Sequence, residues 1–66
     1  FSIINIEKYE GKNVGRLRFF SEKGYSSVNL AEKSYTGQFF KNTQEADGYK
    51  FTVGYILPSE MRICVN

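Results

Sequence analysis

Arginine and aromatic side chains alternate along one short stretch of the sequence. In VGRLRFFS, residues 14–21, Arg16, Arg18 and Phe20 occupy every second position. Successive side chains of a β-strand point to opposite faces, so these three residues share one face if the stretch is a strand. Guanidinium groups bind phosphate. Aromatic rings stack on nucleobases, and each stacked base contributes about 1–3 kcal/mol to the binding free energy. The spacing therefore indicates a surface for single-stranded nucleic acid.

Tyr25 follows this stretch across the short turn EKG, residues 22–24. An antiparallel hairpin here would bring Tyr25 next to Phe20, with Ser27 and Asn29 further along the same face. We expect the arginines to contact phosphates and the rings to stack on bases, while lysines add attraction that is largely independent of base sequence. Specific readout of bases is not indicated. The predicted nucleic-acid-binding residues are Arg16, Arg18, Phe20, Tyr25, Lys8, Lys23, Lys41 and Lys50.

The same residues allow other interpretations. Nine basic and seven acidic residues leave a net charge of only +2, so the arginines can form an ordinary solvated strand face and Phe20 can close an end of the core. A small protein-binding module or inhibitor would use surface tyrosine and arginine as interface anchors. A homo-oligomer would complete a shared core with the same rings. Phosphate binding weakens steeply with salt, whereas a tyrosine-rich protein interface depends on salt much less.

Catalytic chemistry finds little support in the sequence. The chain has no histidine, so the commonest general base is absent, and no imidazole can activate its single cysteine, Cys64. We expect Cys64 to be a small strand residue on the face opposite Met61 and Ile63. The sequence has neither the spacing of four zinc ligands nor a phosphate-binding glycine loop. It therefore predicts a non-enzymatic protein without a metal or cofactor.

The length of 66 residues predicts a single domain, residues 1–66. One cysteine cannot form a disulfide within the chain, and it fits a reducing, cytoplasmic compartment better than secretion. No apolar run approaches the roughly 20 residues that are needed to span a bilayer, so we expect no membrane association.

The elements that must position these residues are mainly strands. Strands are predicted over residues 2–9, 14–21 and 25–32, because these segments are rich in branched and aromatic side chains and are separated by short glycine-containing turns. They form an antiparallel meander. Two more strands follow, over residues 49–57 and 61–65. In the first of these, five apolar residues are predicted to share one face: Tyr49, Phe51, Val53, Tyr55 and Leu57.

Residues 33–48 lack this alternation. Tyr35, Phe39 and Phe40 could share one side of a short helix that begins at Ser34 or Thr36. Gly37 argues against this helix, because a glycine in a helix interior costs about 1 kcal/mol in stability. In the fourth predicted strand, Gly54 indicates a β-bulge or a close approach of another backbone, either of which would help a small sheet to curl.

The predicted fold is mainly β, a small five-stranded antiparallel barrel or curled sheet with one short helical segment. The order of three strands, a helical link and two strands matches the OB barrel, while the short PSE turn before the last strand also fits an SH3-like barrel. The predicted core is Ile4, Ile6, Leu17, Phe19, Val28, Leu30, Phe51, Val53, Met61, Ile63 and Val65.

Overall fold

A computed structural model describes residues 2–66 and confirms a mainly β domain. Its strands number six, however, and they form two separate three-stranded antiparallel sheets. The first sheet contains β1 (Ser2–Tyr9), β2 (Lys12–Ser21) and β3 (Gly24–Ala31). The second contains β4 (Thr43–Ala46), β5 (Tyr49–Leu57) and β6 (Glu60–Val65). Residues 2–66 form no closed barrel, so the prediction of a five-stranded barrel is wrong.

The predicted helix is also absent from the described residues. Residues 32–42, which we call the linking segment, are irregular and run alongside β3. The Lys41 carbonyl accepts from the Ala31 N–H at 3.0 Å, and the Lys41 N–H donates to the Asn29 carbonyl at 3.2 Å. Phe40 is 1% exposed and Phe39 is 58% exposed, so these neighbouring rings point in different directions rather than along one side of a helix.

The strand β4 was not predicted, because residues 43–46 lie within residues 33–48, where the alternation of a strand was not recognised. Asp47 and Gly48 have positive φ values of 53° and 85°. Positive φ at two successive residues is the backbone conformation of a two-residue hairpin turn. Asp-Gly is among the sequences that most favour this turn. It pairs residues 43–46 with the start of β5, and Glu45 lies opposite Lys50.

The main core lies between the two sheets. Its buried residues include six that were predicted, together with Ile56: Leu17, Phe19, Val28, Leu30, Phe51, Val53 and Ile56. Ile6, Met61 and Ile63 are partly buried against this core. Ile4 and Val65 are 42% and 53% exposed, so their prediction as core residues is wrong. They lie on β1 and β6, which are edge strands of different sheets and leave the core open between them.

The predicted bulge at Gly54 is confirmed, and it changes which side chains of β5 face the core. The register between β5 and β6 shifts between Val53 and Tyr55. An extra residue in one strand reverses the alternation beyond it. Ile56 is consequently buried, whereas Tyr55 and Leu57 are exposed. The prediction that all five apolar residues of this strand share one face therefore fails after the bulge.

The side-chain amides of two asparagines join the sheets. Asn42 donates from its side-chain Nδ2 to the Ala31 carbonyl at 3.1 Å, and its backbone carbonyl accepts from the Val53 N–H at 3.0 Å. Asn13 on β2 donates to the Ile56 carbonyl on β5 at 3.1 Å. These bonds satisfy backbone groups that a buried position would otherwise leave without partners. They fix how the second sheet lies on the first.

A carboxylate joins the sheets at one end. Asp47, in the turn between β4 and β5, accepts hydrogen bonds from the hydroxyl groups of Ser21 and Ser26, on β2 and β3. The Ser21 hydroxyl, and then that of Ser26, lowers the pKa of Asp47 below its ordinary value, and the positive charge of Lys23 adds to this effect. Asp47 is therefore a charged link between two hairpins.

Replacing the two adjacent phenylalanines should have very different effects on stability. Phe40→Leu removes buried ring atoms and leaves a cavity, so we expect a loss of roughly 1 kcal/mol or more in the free energy of unfolding. Phe39→Leu changes an exposed ring and should stay within about 0.5 kcal/mol of the wild type. Urea unfolding followed by circular dichroism measures both. Equal losses would contradict the burial of Phe40.

The Asp47 link should make stability depend on pH. Because its folded-state pKa is lowered, the link stabilises the fold above the unfolded-state pKa, and this stabilisation is lost as the pH falls through the folded-state pKa. Asp47→Asn, which tolerates the positive φ, should lower the Tm at about pH 7, and the difference from the wild type should shrink near pH 2. Glu45→Gln is the control. A Tm difference for Asp47→Asn that is constant over this range would contradict the charged link.

Candidate functional site

The two predicted arginines lie on the outer face of the first sheet, which is the face turned away from the main core. On β2, Arg16 is paired with Asn5 of β1 on one side and Asn29 of β3 on the other. Arg18 is paired with Ser27 of β3. The intervening residues of β2 point into the core, as the alternation of a strand requires. The structure therefore brings the arginines and the small polar residues together as predicted.

Phe20 and Tyr25 lie at one end of this outer face. They are directly opposite each other in the β2–β3 register, and their ring centroids are 5.3 Å apart in an edge-to-face arrangement at 61°. Phe20 is 58% exposed and Tyr25 is 57% exposed. Both rings therefore present a large part of their surface to solvent, and neither is buried in the main core.

The linking segment covers the other end of the outer face. Phe40 packs on Val14 and Ala31, and all three side chains are buried in a second, smaller core. The ring of Tyr9 lies 5.4 Å from that of Phe40. We call Tyr9, Tyr35, Phe39 and Phe40 the aromatic wall. Sequence reasoning missed this wall, and the signal available was the pair of phenylalanines in a segment that had lost the strand alternation.

Arg16 is held against this wall. Its guanidinium carbon lies 5.7 Å from the centroid of the Phe40 ring and 6.0 Å from that of Phe39, which is the range of cation–π contacts. One of its terminal nitrogens is 3.6 Å from a carboxylate oxygen of Glu7. Both charged side chains are about half exposed, so this ion pair contributes little to stability. The contacts orient the guanidinium while leaving it accessible to a ligand.

Arg18 is oriented by a neighbour on β1. It donates a hydrogen bond from Nη2 to the Oδ1 of Asn5. Its Nε is buried and has no hydrogen-bond partner among the residues that the structure describes. A shallow depression of about 420 Å³, which we call the polar pocket, surrounds these groups. It is lined by Asn5, Glu7, Arg16, Arg18, Ser27 and Asn29.

The polar pocket lies between the two aromatic groups. Phe20 and Tyr25 are at one end, and the aromatic wall is at the other. Val14, under the wall, is six residues before Phe20 on the same strand, which corresponds to about 20 Å at the usual rise of a β-strand. Rings, cations and small polar groups thus follow one another along a single face.

The predicted lysines are distributed around the molecule. Lys23 lies in the turn beside Phe20 and Tyr25. Lys41 is on the linking segment, paired with Leu30. Lys8 is an odd number of residues from Asn5 and Glu7 on β1, so it lies on the other face of the first sheet. Lys50 is on the second sheet. All four are exposed, but Lys8 and Lys50 do not belong to the outer face of the first sheet.

Other kinds of chemistry have few candidate groups in residues 2–66. No three His, Cys, Asp or Glu side chains there are grouped so that they could hold a metal ion. Cys64 is exposed, while Met61 and Ile63 are partly buried, as its predicted position on the opposite face requires. Burial raises the pKa of Tyr35, with additional effects from Glu10 and Tyr9, so its hydroxyl stays neutral near pH 7. No described helix has the length and apolar character to cross a membrane.

Residues 2–66 thus form two antiparallel three-stranded sheets, the first of which has a basic and aromatic outer face. No family model matches the chain, and comparisons with curated proteins and with solved structures found no match. The geometry of the outer face is therefore the basis on which function is argued.

Proposed function

We propose that this protein binds single-stranded nucleic acid without catalysing a reaction, along the outer face of its first sheet. The observation that supports the proposal is the position of Arg16 and Arg18 between the exposed rings of Phe20 and Tyr25 at one end and the aromatic wall at the other. Proteins that bind single strands with little sequence preference combine cations that follow the phosphates with aromatic rings on which bases stack. Both components occur here on one face.

Each group has a role in this proposal. Arg16 and Arg18 contact phosphates, and Phe20 and Tyr25 stack on bases. Phe39, which was not among the predicted site residues, adds a largely exposed ring at the far end. The aromatic wall orients Arg16, while Asn5 orients Arg18. Side chains that are already oriented lose less conformational entropy when a ligand binds.

The overall charge limits the strength of this binding. The net charge is +2, and Glu7 lies beside one of the two arginines. We therefore expect modest affinity with a clear dependence on salt. The four lysines that surround the molecule, Lys8, Lys23, Lys41 and Lys50, add long-range attraction rather than specific contacts.

A protein-binding module remains the second candidate function, and a different feature favours it. Between the edge strands β1 and β6 lies an open, mainly apolar cleft of about 360 Å³, whose lining includes Ile4 and Val65 and also Phe20, at the end of the outer face. Edge strands have backbone groups that can accept an added strand, and apolar pockets beside them can hold alternate side chains. Binding of a protein partner or of a second copy there would depend only weakly on salt.

Titration of a labelled oligothymidine of about 20 nucleotides, followed by fluorescence anisotropy at several salt concentrations, tests the leading proposal. The dissociation constant should rise steeply with salt. Arg16→Ala should reduce the magnitude of the salt slope by about 0.7, the value for one phosphate contact to a single strand. Phe20→Ala should weaken binding by about 1–3 kcal/mol without changing that slope.

Two controls make the result interpretable. Lys50→Ala removes a positive charge from the second sheet and should change the slope less than Arg16→Ala. Circular dichroism should show that Phe20→Ala is folded, because its ring is largely exposed. If oligothymidine does not bind even at low salt, the proposal fails and the protein-binding function becomes the better candidate. Loss of folding in Phe20→Ala would instead assign this ring a structural role.

A further inference from the structure

The polar pocket contains a carboxylate, which a surface for phosphates alone does not need. Glu7 lies 3.6 Å from Arg16, which is longer than a hydrogen bond, and within residues 2–66 its oxygens accept no hydrogen bond. Its side chain is about half exposed. Both oxygens can therefore accept from a ligand. A negative charge repels phosphate, so the group that complements Glu7 is one that carries N–H donors.

Asn5 adds a donor beside this acceptor. Asn5 and Glu7 are two residues apart on β1, so they share the outer face with their backbones about 7 Å apart. The Oδ1 of Asn5 accepts from Arg18, and this contact fixes the orientation of the amide. Its Nδ2 then remains as a donor, with no hydrogen-bond partner in the described part of the chain. One strand thus presents acceptors and a donor side by side.

We propose that Glu7 and Asn5 recognise the Watson–Crick edge of a guanine in the bound strand. The inference rests on the proposed function and makes it more specific. Guanine carries two adjacent donors, N1–H and its 2-amino group, next to the carbonyl O6. Glu7 accepts from the two donors, and the Nδ2 of Asn5 donates to O6. This recognition differs from the sequence-based expectation, which included no readout of bases.

The other bases do not match this arrangement. Adenine and cytosine each have one amino group beside a ring nitrogen that is an acceptor, and thymine has one N–H between two carbonyls. Each of them therefore places an acceptor against the Glu7 carboxylate, where guanine places a donor. Stacking on the exposed ring of Phe39 would be available to any base, so the preference arises from the edge. Arg16 and Arg18 keep N–H groups for the phosphates.

The test compares oligothymidine strands that carry a different base at the same isolated positions, which prevents the guanines from associating with one another. Under one salt condition, the strand with guanine should bind at least about fivefold more tightly than oligothymidine alone. Adenine at these positions should give no such gain. Hypoxanthine keeps O6 and N1–H but lacks the 2-amino group, so a strand that carries it should lose most of the gain in affinity that guanine gives.

Glu7→Gln tests the residue itself. It should abolish the preference for guanine, so that this variant binds the strand with guanine no more tightly than oligothymidine alone. Glu45→Gln makes the same change on the second sheet and should keep the preference. Equal binding of all strands by the wild type, or a guanine preference that persists in Glu7→Gln, would overturn this inference while leaving the proposed function intact. Failure of every strand to bind would overturn both.

Discussion

The return of the chain along the edge of β3 holds the two sheets together and builds one end of the candidate site. Three consecutive residues make this return. Phe40 is buried against the outer face, Lys41 pairs with the backbone of β3, and Asn42 connects β3 to Val53 on β5. The same segment therefore attaches the second sheet and forms the aromatic wall. Because one segment has both functions, loss of its packing would disturb the fold and the candidate site together.

This arrangement gives a chain of 66 residues two apolar cores, one between the sheets and one on the outer face. Its consequence is an asymmetric domain. The sheets are joined beside β3 and β4 and remain open between β1 and β6, where Ile4 and Val65 are exposed. The outer face is supported from both directions, by the main core below it and by the aromatic wall at its end. Its arginines are consequently oriented before any ligand binds, as low-cost binding requires.

The alternation of side chains along a single strand could be predicted from the sequence, because it depends only on neighbouring residues. The alternation along β2 placed Arg16 and Phe20 on one face, because a strand directs every second side chain the same way. It failed after Gly54, where the bulge reverses the alternation. The linking segment was beyond such reasoning, because Phe40 is buried against Val14 of β2 and Lys41 bonds back to Asn29 and Ala31, contacts that the alternation within one strand does not specify. The ion pair of Glu7 with Arg16 likewise depends on the pairing of β1 with β2.

In the proposed complex, the bound strand lies on the outer face of the first sheet. An NMR titration of the ¹⁵N-labelled protein with unlabelled oligothymidine tests this placement. The amide signals that shift should belong to β1, β2 and β3 around Arg16, Arg18 and Tyr25, and to the aromatic wall near Phe39. Shifts confined to β5 and β6, or to the open side between β1 and β6, would contradict it.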